Sequence, residues 1–188
     1  MSTSAASIAS SALSFLGEAA ILTLLDESTR ARLCNQHFEV IRDALLASHP
    51  WNFAKKRVSL VAVDTDAPVF DYSYTFALPS DYLRMVKVSP DWAEFEIQGA
   101  DLVTDVADID ISYVHRMIDY GAYNPMFILA FEYKLAAAIA PVLKSDYKIA
   151  QAYEQMWQYW DRAAKIMDAQ DERSKEAKSD DLIEVRRV

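Results

Sequence analysis

The sequence predicts an α+β fold: a four-helix bundle with a strand-rich insertion between helices 2 and 3 and an extended C-terminal tail. Three observations carry this reading. Apolar residues recur at helical spacing up to His49-Pro50, alternate with polar ones from Trp51 onward, and return to helical spacing after Asn124-Pro125. The expected division is 1–50 and 124–171 for the helical bundle, 51–123 for the β insertion and 172–188 for the tail.

The first helix is expected over Ala5 to Leu16, with Ile8, Ala12, Phe15 and Leu16 on one side and Gly17 where a C-cap glycine sits. Ser28 is placed to cap a second helix, whose positions Leu33, Cys34, Phe38, Ile41, Leu45 and Leu46 keep helical spacing as far as Pro50. Val58-Leu60-Ala62, Tyr72-Tyr74-Phe76, Phe95-Ile97 and Ile109-Ile111-Tyr113 then alternate as strand residues do, separated by Pro, Gly, Ser and Asp turn residues. Five or six short strands are expected.

Asn124-Pro125 supplies a cap followed by proline in the first turn of a third helix, apolar on nearly every side. Pro141 is read as its end, and Ser145 as the cap of a fourth helix. Ile149, Tyr153, Met156, Trp157, Trp160, Ala164 and Met167 form the apolar stripe of that helix, with Glu154, Gln158, Asp161, Lys165 and Asp168 mostly opposite. From about Asp171 the chain is charged except for Leu182, Ile183 and Val185.

Composition narrows the function. Hydrophobic residues make up 52% of 188, which requires a packed core, and only 3 are glycine, which disfavours phosphate-cradling loops. Nineteen basic against 28 acidic residues give a net charge of −9, the wrong sign for a chain that grips nucleic acid. The basic run Lys55-Lys56-Arg57 reads as solvated charge at a strand edge. A single cysteine, Cys34, excludes an internal disulfide and a cysteine-rich zinc site. Met1 to Ser11 lacks the basic start and apolar block of a signal peptide. Met126 to Leu143 carries Glu132 and Lys134 and is interrupted by Pro141, favouring a buried helix over a membrane span. A soluble chain made in the cytoplasm, with no membrane partner, is expected.

No catalytic set stands out. His37, His49 and His115 fall in three different elements without ligand spacing, and each reads as an ordinary surface, helix-end or hydrogen-bonded histidine. Cys34 and His37 stand one turn apart, as a thiolate and its base would, but Cys34 lies on the apolar stripe and reads as a small buried hydrophobe. Asp101, Asp105, Asp108 and Asp110 lack the alternation, glycine and closing glutamate of a calcium loop and read as a solvated acidic edge. No catalytic residue, cofactor or metal is therefore expected. The residues read as interface candidates are Trp92, which stands in a predicted turn with little core to join, Tyr72 and Tyr74 on one strand, and the tail cluster Leu182, Ile183 and Val185.

Four sets of segments, taken in order, resemble a known family: His49-Pro50-Trp51-Asn52-Phe53-Ala54, Tyr74-Thr75-Phe76-Ala77-Leu78-Pro79-Ser80-Asp81-Tyr82-Leu83-Arg84, Phe95-Glu96-Ile97-Gln98-Gly99 with Leu102-Val103-Thr104-Asp105, and the Asn124-Pro125 helix start followed by Leu135-Ala136. They are similar to the tail tubular protein A family of short-tailed bacteriophages, the head-to-tail adaptors, over most of Ser10 to about Asp168. The specificity lies in the joint order of the segments. The resemblance implies a structural virion protein at the head-tail junction, assembled with copies of itself into a ring, a dodecamer. The ring sits beneath the portal protein and carries the tail nozzle protein, and DNA passes through it without tight binding. An acidic chain suits such a channel, because a ring around DNA should let it slide. The alternatives are a non-viral protein-binding module acting through exposed aromatics, and a hydrolase using Cys34 and His37.

Overall fold

The computed structural model describes residues 3–62 and 71–171 of the chain. Helix α1 (Ala5–Phe15) starts at a capping box in which the side chains of Ser4 and Ser7 each accept the other residue's backbone N–H. It stops where Gly17 takes φ +68°, a conformation that suits glycine. Helix α2 (Thr29–Ser48) is capped by the Ser28 hydroxyl, which accepts the Ala31 N–H at 3.2 Å. Helix α3 (Pro125–Lys144) begins at Asn124, whose side chain accepts the Met126 N–H at 2.8 Å.

Pro141 does not end α3. The helix runs through it to Lys144, and Ser145 is the left-handed C-cap of α3, its N–H bonded to the Pro141 carbonyl at 3.1 Å. A proline removes one backbone bond at a cost of about 3 kcal/mol. Here burial of Ile139 and Ala140, with Leu143 packed against the core beyond the proline, holds the last turn in place. Asp146, rather than Ser145, starts helix α4 (Tyr147–Asp171), its carboxylate accepting the Lys148 N–H at 2.8 Å.

Between α2 and α3 the chain forms two three-stranded antiparallel sheets. The strands are β1 (Lys55–Leu60), β2 (Tyr74–Ala77), β3 (Tyr82–Ser89), β4 (Phe95–Gln98), β5 (Asp101–Thr104) and β6 (Ile109–His115). One sheet has the order β1-β6-β3 and the other β2-β5-β4. Strand β3 is absent from the alternating segments of the sequence because register shifts between Tyr82 and Arg84 and between Met85 and Lys87 break its period of two. Phe76 and Leu102 of one sheet pack against Val88, Ile109, Ile111 and Tyr113 of the other, so the two sheets stack as layers over a core of their own.

The expected four-helix bundle with a strand insertion is not what forms. Helix α3 is the hub: α4 lies along it, α1 and α2 each pack on it, and α1 and α2 scarcely meet. The cause is its composition. Phe127, Ala130, Phe131, Leu135, Ala136 and Ile139 are buried around its circumference, so neighbours are drawn to several sides of one helix instead of sharing a central seam. By length and composition α3 is apolar enough to cross a membrane, and half of its most apolar window is buried within the protein. The strands are not an appendage either. Trp51, Ala54 and Val114, from the start of the strand region and from β6, belong to the same core as the helices.

Residues 49–54 form the joint between these layers. The Trp51 indole N–H donates to the Leu45 carbonyl at 2.9 Å, and its ring packs edge-on to Phe127 with centroids 4.9 Å apart. Phe53 and Tyr123 stack tilted at 5.4 Å beside it. Asp168, expected on the polar side of α4, is buried at 4% exposure and closes the joint from the other side. Its carboxylate accepts the Asn52 N–H at 2.9 Å and meets His49 Nε2 at 3.2 Å, while its carbonyl accepts the Asn52 side-chain amide at 2.6 Å.

Candidate interaction surface

Several of the residues that the sequence offers for catalysis are held within the fold. Cys34 has 0% exposure, and burial pushes its thiol up to about 11, so no thiolate is offered to a substrate near neutral pH. His49 faces Asp168 in the joint, and His115 Nδ1 lies 2.7 Å from the Ala54 carbonyl. His37 shares α2 with Cys34, whose sulfur is sealed in the core. Asp105 accepts the Ser73 hydroxyl at 2.8 Å and Asp110 the Ser59 hydroxyl at 2.5 Å. Among the described residues no three His, Cys, Asp or Glu side chains are grouped to hold a metal ion.

The interface candidates divide. Trp92 stands 74% exposed between β3 and β4, the most open of the aromatic side chains singled out in the sequence. Tyr74 is 37% exposed on β2, an outer strand of its sheet, and Tyr72 is half-buried just before it. Phe76, on the same face of β2 as Tyr74, is fully buried. The row therefore runs from core to rim. Opposite β2, the other outer strand β4 leaves Phe95 and Ile97 each 38% exposed. Leu182, Ile183 and Val185 lie outside the described residues.

The outward face of the β1-β6-β3 sheet forms a groove of about 740 Å³, lined in part by Arg57, Ser59, Val86, Lys87, Asp110 and Ser112. Lys87 pairs with Asp91 at 2.9 Å and Asp110 accepts the Ser59 hydroxyl, while Lys55 also lines the groove beside Arg57. The neighbouring turn is stiff. Asp81 accepts the Tyr113 hydroxyl at 2.9 Å and the Lys56 ammonium at 2.5 Å, and these two bonds hold its carboxyl below the usual range against the opposing effect of burial. Tyr113 is pushed up to about 12, by burial first and by Asp81 second.

Two further exposed features were not singled out in the sequence. Helix α4 carries a second apolar line, Ala152, Met156, Tyr159, Ala163 and Ile166, which faces away from α3; Tyr159 and Ile166 are 63% and 62% exposed. Met156 and Met167, expected in the packed stripe, are exposed at 40% and 42%. The signal was present as a stripe too wide for one neighbouring helix. The other feature is a leucine pair, Leu22 and Leu25, in the connector between α1 and α2. No protein-family model matches this chain, and no curated protein matches it.

Proposed function

We propose that this chain is a head-to-tail adaptor of a short-tailed bacteriophage, a structural virion protein that assembles with itself into a ring between the portal and the tail nozzle, with DNA passing through the channel. The observation that supports this reading is the ordered set of segments that resemble that family, from His49-Pro50-Trp51-Asn52 to Asn124-Pro125. Their local roles support it. The first segment locks α2, α4 and β1 together, the Asp81 turn stiffens β3 against β6, and Asn124-Pro125 launches the hub helix. A subunit that transmits load between a capsid and a tail needs such stiff joints together with exposed contact surfaces.

On this reading Trp92, Tyr74 and Tyr72 are contact residues toward a neighbouring copy, the portal or the nozzle. The charge of −9 lets duplex DNA move without being held. The test mixes the purified chain with portal rings of a short-tailed phage and measures particle mass. A discrete portal complex supports the adaptor. Absence of portal binding, or duplex binding tighter than about micromolar at physiological salt, contradicts it. Trp92-dependent capture of an unrelated protein without any ring would favour the protein-binding module.

A further inference from the structure

Strand β1 leaves one edge of its sheet open. Its backbone pairs with β6 on one side, from Lys55↔Val114 to Leu60↔Ile109, and among the described residues the stretch 56–60 makes no backbone bond on the other side. Such a row of N–H and C=O groups is a template for a further strand. The edge is apolar as well as open. Val58 shares a face with Ile111 and Val88, which are buried between the two sheets, yet Val58 itself is 37% exposed, and Leu60 is only half-buried beside Ile109. The stack of sheets stops one strand short on this side.

Helix α4 delivers the following chain to the same place. Asp168 holds both the backbone N–H and the side-chain amide of Asn52, so the end of α4, at Asp171, lies close to residue 52. Asn52 in turn accepts the Lys55 ammonium at 2.8 Å, where β1 begins. Residues 172–188 continue from there. The stretch 172–180 is polar apart from Ala177 and can reach up to roughly 30 Å, against about 20 Å for the length of β1. Asp181-Leu182-Ile183-Glu184-Val185 follows it, with the β-branched Ile183 and Val185 in alternation.

We infer that residues 181–185 add to the open edge of β1 in the same chain as a further, parallel strand, with Ile183 beside Val58 and Val185 beside Leu60. The direction follows from the exit point, since the chain arrives at the Lys55 end and runs toward Leu60. In this register Asp181 lies beside Lys56, while Leu182 and Glu184 take the outward face with Arg57 and Ser59. Arg186 and Arg187 fall past the end of β1, and Arg173, Lys175 and Lys178 lie in the approach. Backbone bonds, rather than charge, carry such an addition. Tethering decides the occupant, because a segment joined to its edge by a short linker is present at an effective concentration near millimolar, above that of a second copy in dilute solution. The pairing closes an edge that would otherwise recruit foreign strands, and it stands apart from the ring of the adaptor reading.

Amide hydrogen exchange read by mass spectrometry tests it on three forms: the full chain, the chain truncated after Asp171, and a full-length Ile183→Asp, Val185→Asp double variant, each checked by far-UV circular dichroism. The expected result is exchange at 56–60 at least about tenfold faster in both altered forms than in the full chain, with β3, the other edge of the sheet, unchanged. Protection in the full chain should not vary with protein concentration. If truncation disturbs α4, the double variant decides. Equal exchange at 56–60 in the full chain and the double variant overturns the inference. So does protection that grows with concentration, which would assign the edge to a second copy's tail, and so does a change at β3 in place of β1. Failure to bind the portal with the β1 protection intact would remove the adaptor reading and leave the strand addition standing.

Discussion

Replacing Asp168 by alanine should destabilise the fold far more than removing any other acidic residue of α4. The Asp168 side chain is 5% exposed, and its carboxylate receives the Asn52 N–H at 2.9 Å and faces His49 Nε2 at 3.2 Å. A hydrogen bond to a charged group contributes roughly 1.5–3 kcal/mol, and orphaning a buried donor costs a similar amount. A loss of about 3 kcal/mol follows, which for a chain of this size lowers Tm by roughly 6–12 °C. Asp161→Ala is the comparison, because its one bond, from Lys165 at 2.7 Å, is a part-buried i,i+4 pair of a kind worth about 0.3–0.5 kcal/mol when exposed, whereas the Asp168 carboxylate meets both Asn52 and His49. Urea unfolding followed by circular dichroism reads both. A cycle with His49→Ala should give a coupling of about 1 kcal/mol or more. If Asp168→Ala costs no more than Asp161→Ala, the joint between α2, α4 and β1 is not the structural lock described above.

Three shorter predictions follow from the same structure. Trp51→Ala, at a fully buried ring bonded to the Leu45 carbonyl, should lose about 3–5 kcal/mol in denaturant unfolding, against roughly 1–2 kcal/mol for Trp51→Phe. Trp92→Ala should leave stability within about 0.5 kcal/mol and yet weaken association with copies or portal, read by circular dichroism and sedimentation; unchanged association would remove Trp92 from the interface. Burial raises the Glu132 carboxyl above its ordinary 4.5, with a bond from Ser11 acting in the opposite sense, so the stability linked to its protonation is complete below that value and is lost as pH rises through the folded one. Glu132→Gln should therefore raise Tm at about pH 7 and give no gain at about pH 4; an equal gain at both would contradict the assignment.

Local chemistry was legible where it acts through neighbours in sequence. Ser28, Asn124-Pro125 and Gly17 mark their helix ends because a cap is made by a residue with the backbone two or three positions away. Ser145 was misassigned because serine caps either end of a connection, and whether Pro141 stops the helix depends on how deeply the following turn is buried, a tertiary fact. The bundle failed for a related reason. Helical periodicity gives the width of an apolar face without saying how many partners share it, and α3, apolar on nearly every side, took neighbours where a seam was expected. Asp168 lies one turn after Ala164 on the packed side of α4, and a carboxylate at the end of an amphipathic helix reads as solvated unless its partners, Asn52 and His49, are known. Leu22 and Leu25 sit in a connector without periodic pattern, so only the burial of Ile21, the packing of Leu24 and the Asp26 carboxylate that accepts the Leu22 N–H show which leucines face outward. The exposure of Trp92 was legible because a tryptophan in a turn has few packing partners on its own chain.

Electron microscopy of the chain bound to a portal ring tests the central claim most directly. The adaptor reading predicts an added ring of this chain, coaxial with the portal and open along the axis, with twelve copies if the family resemblance holds in full. Monomers scattered beside bare portal rings, at concentrations where the folded chain is in large excess, would contradict it.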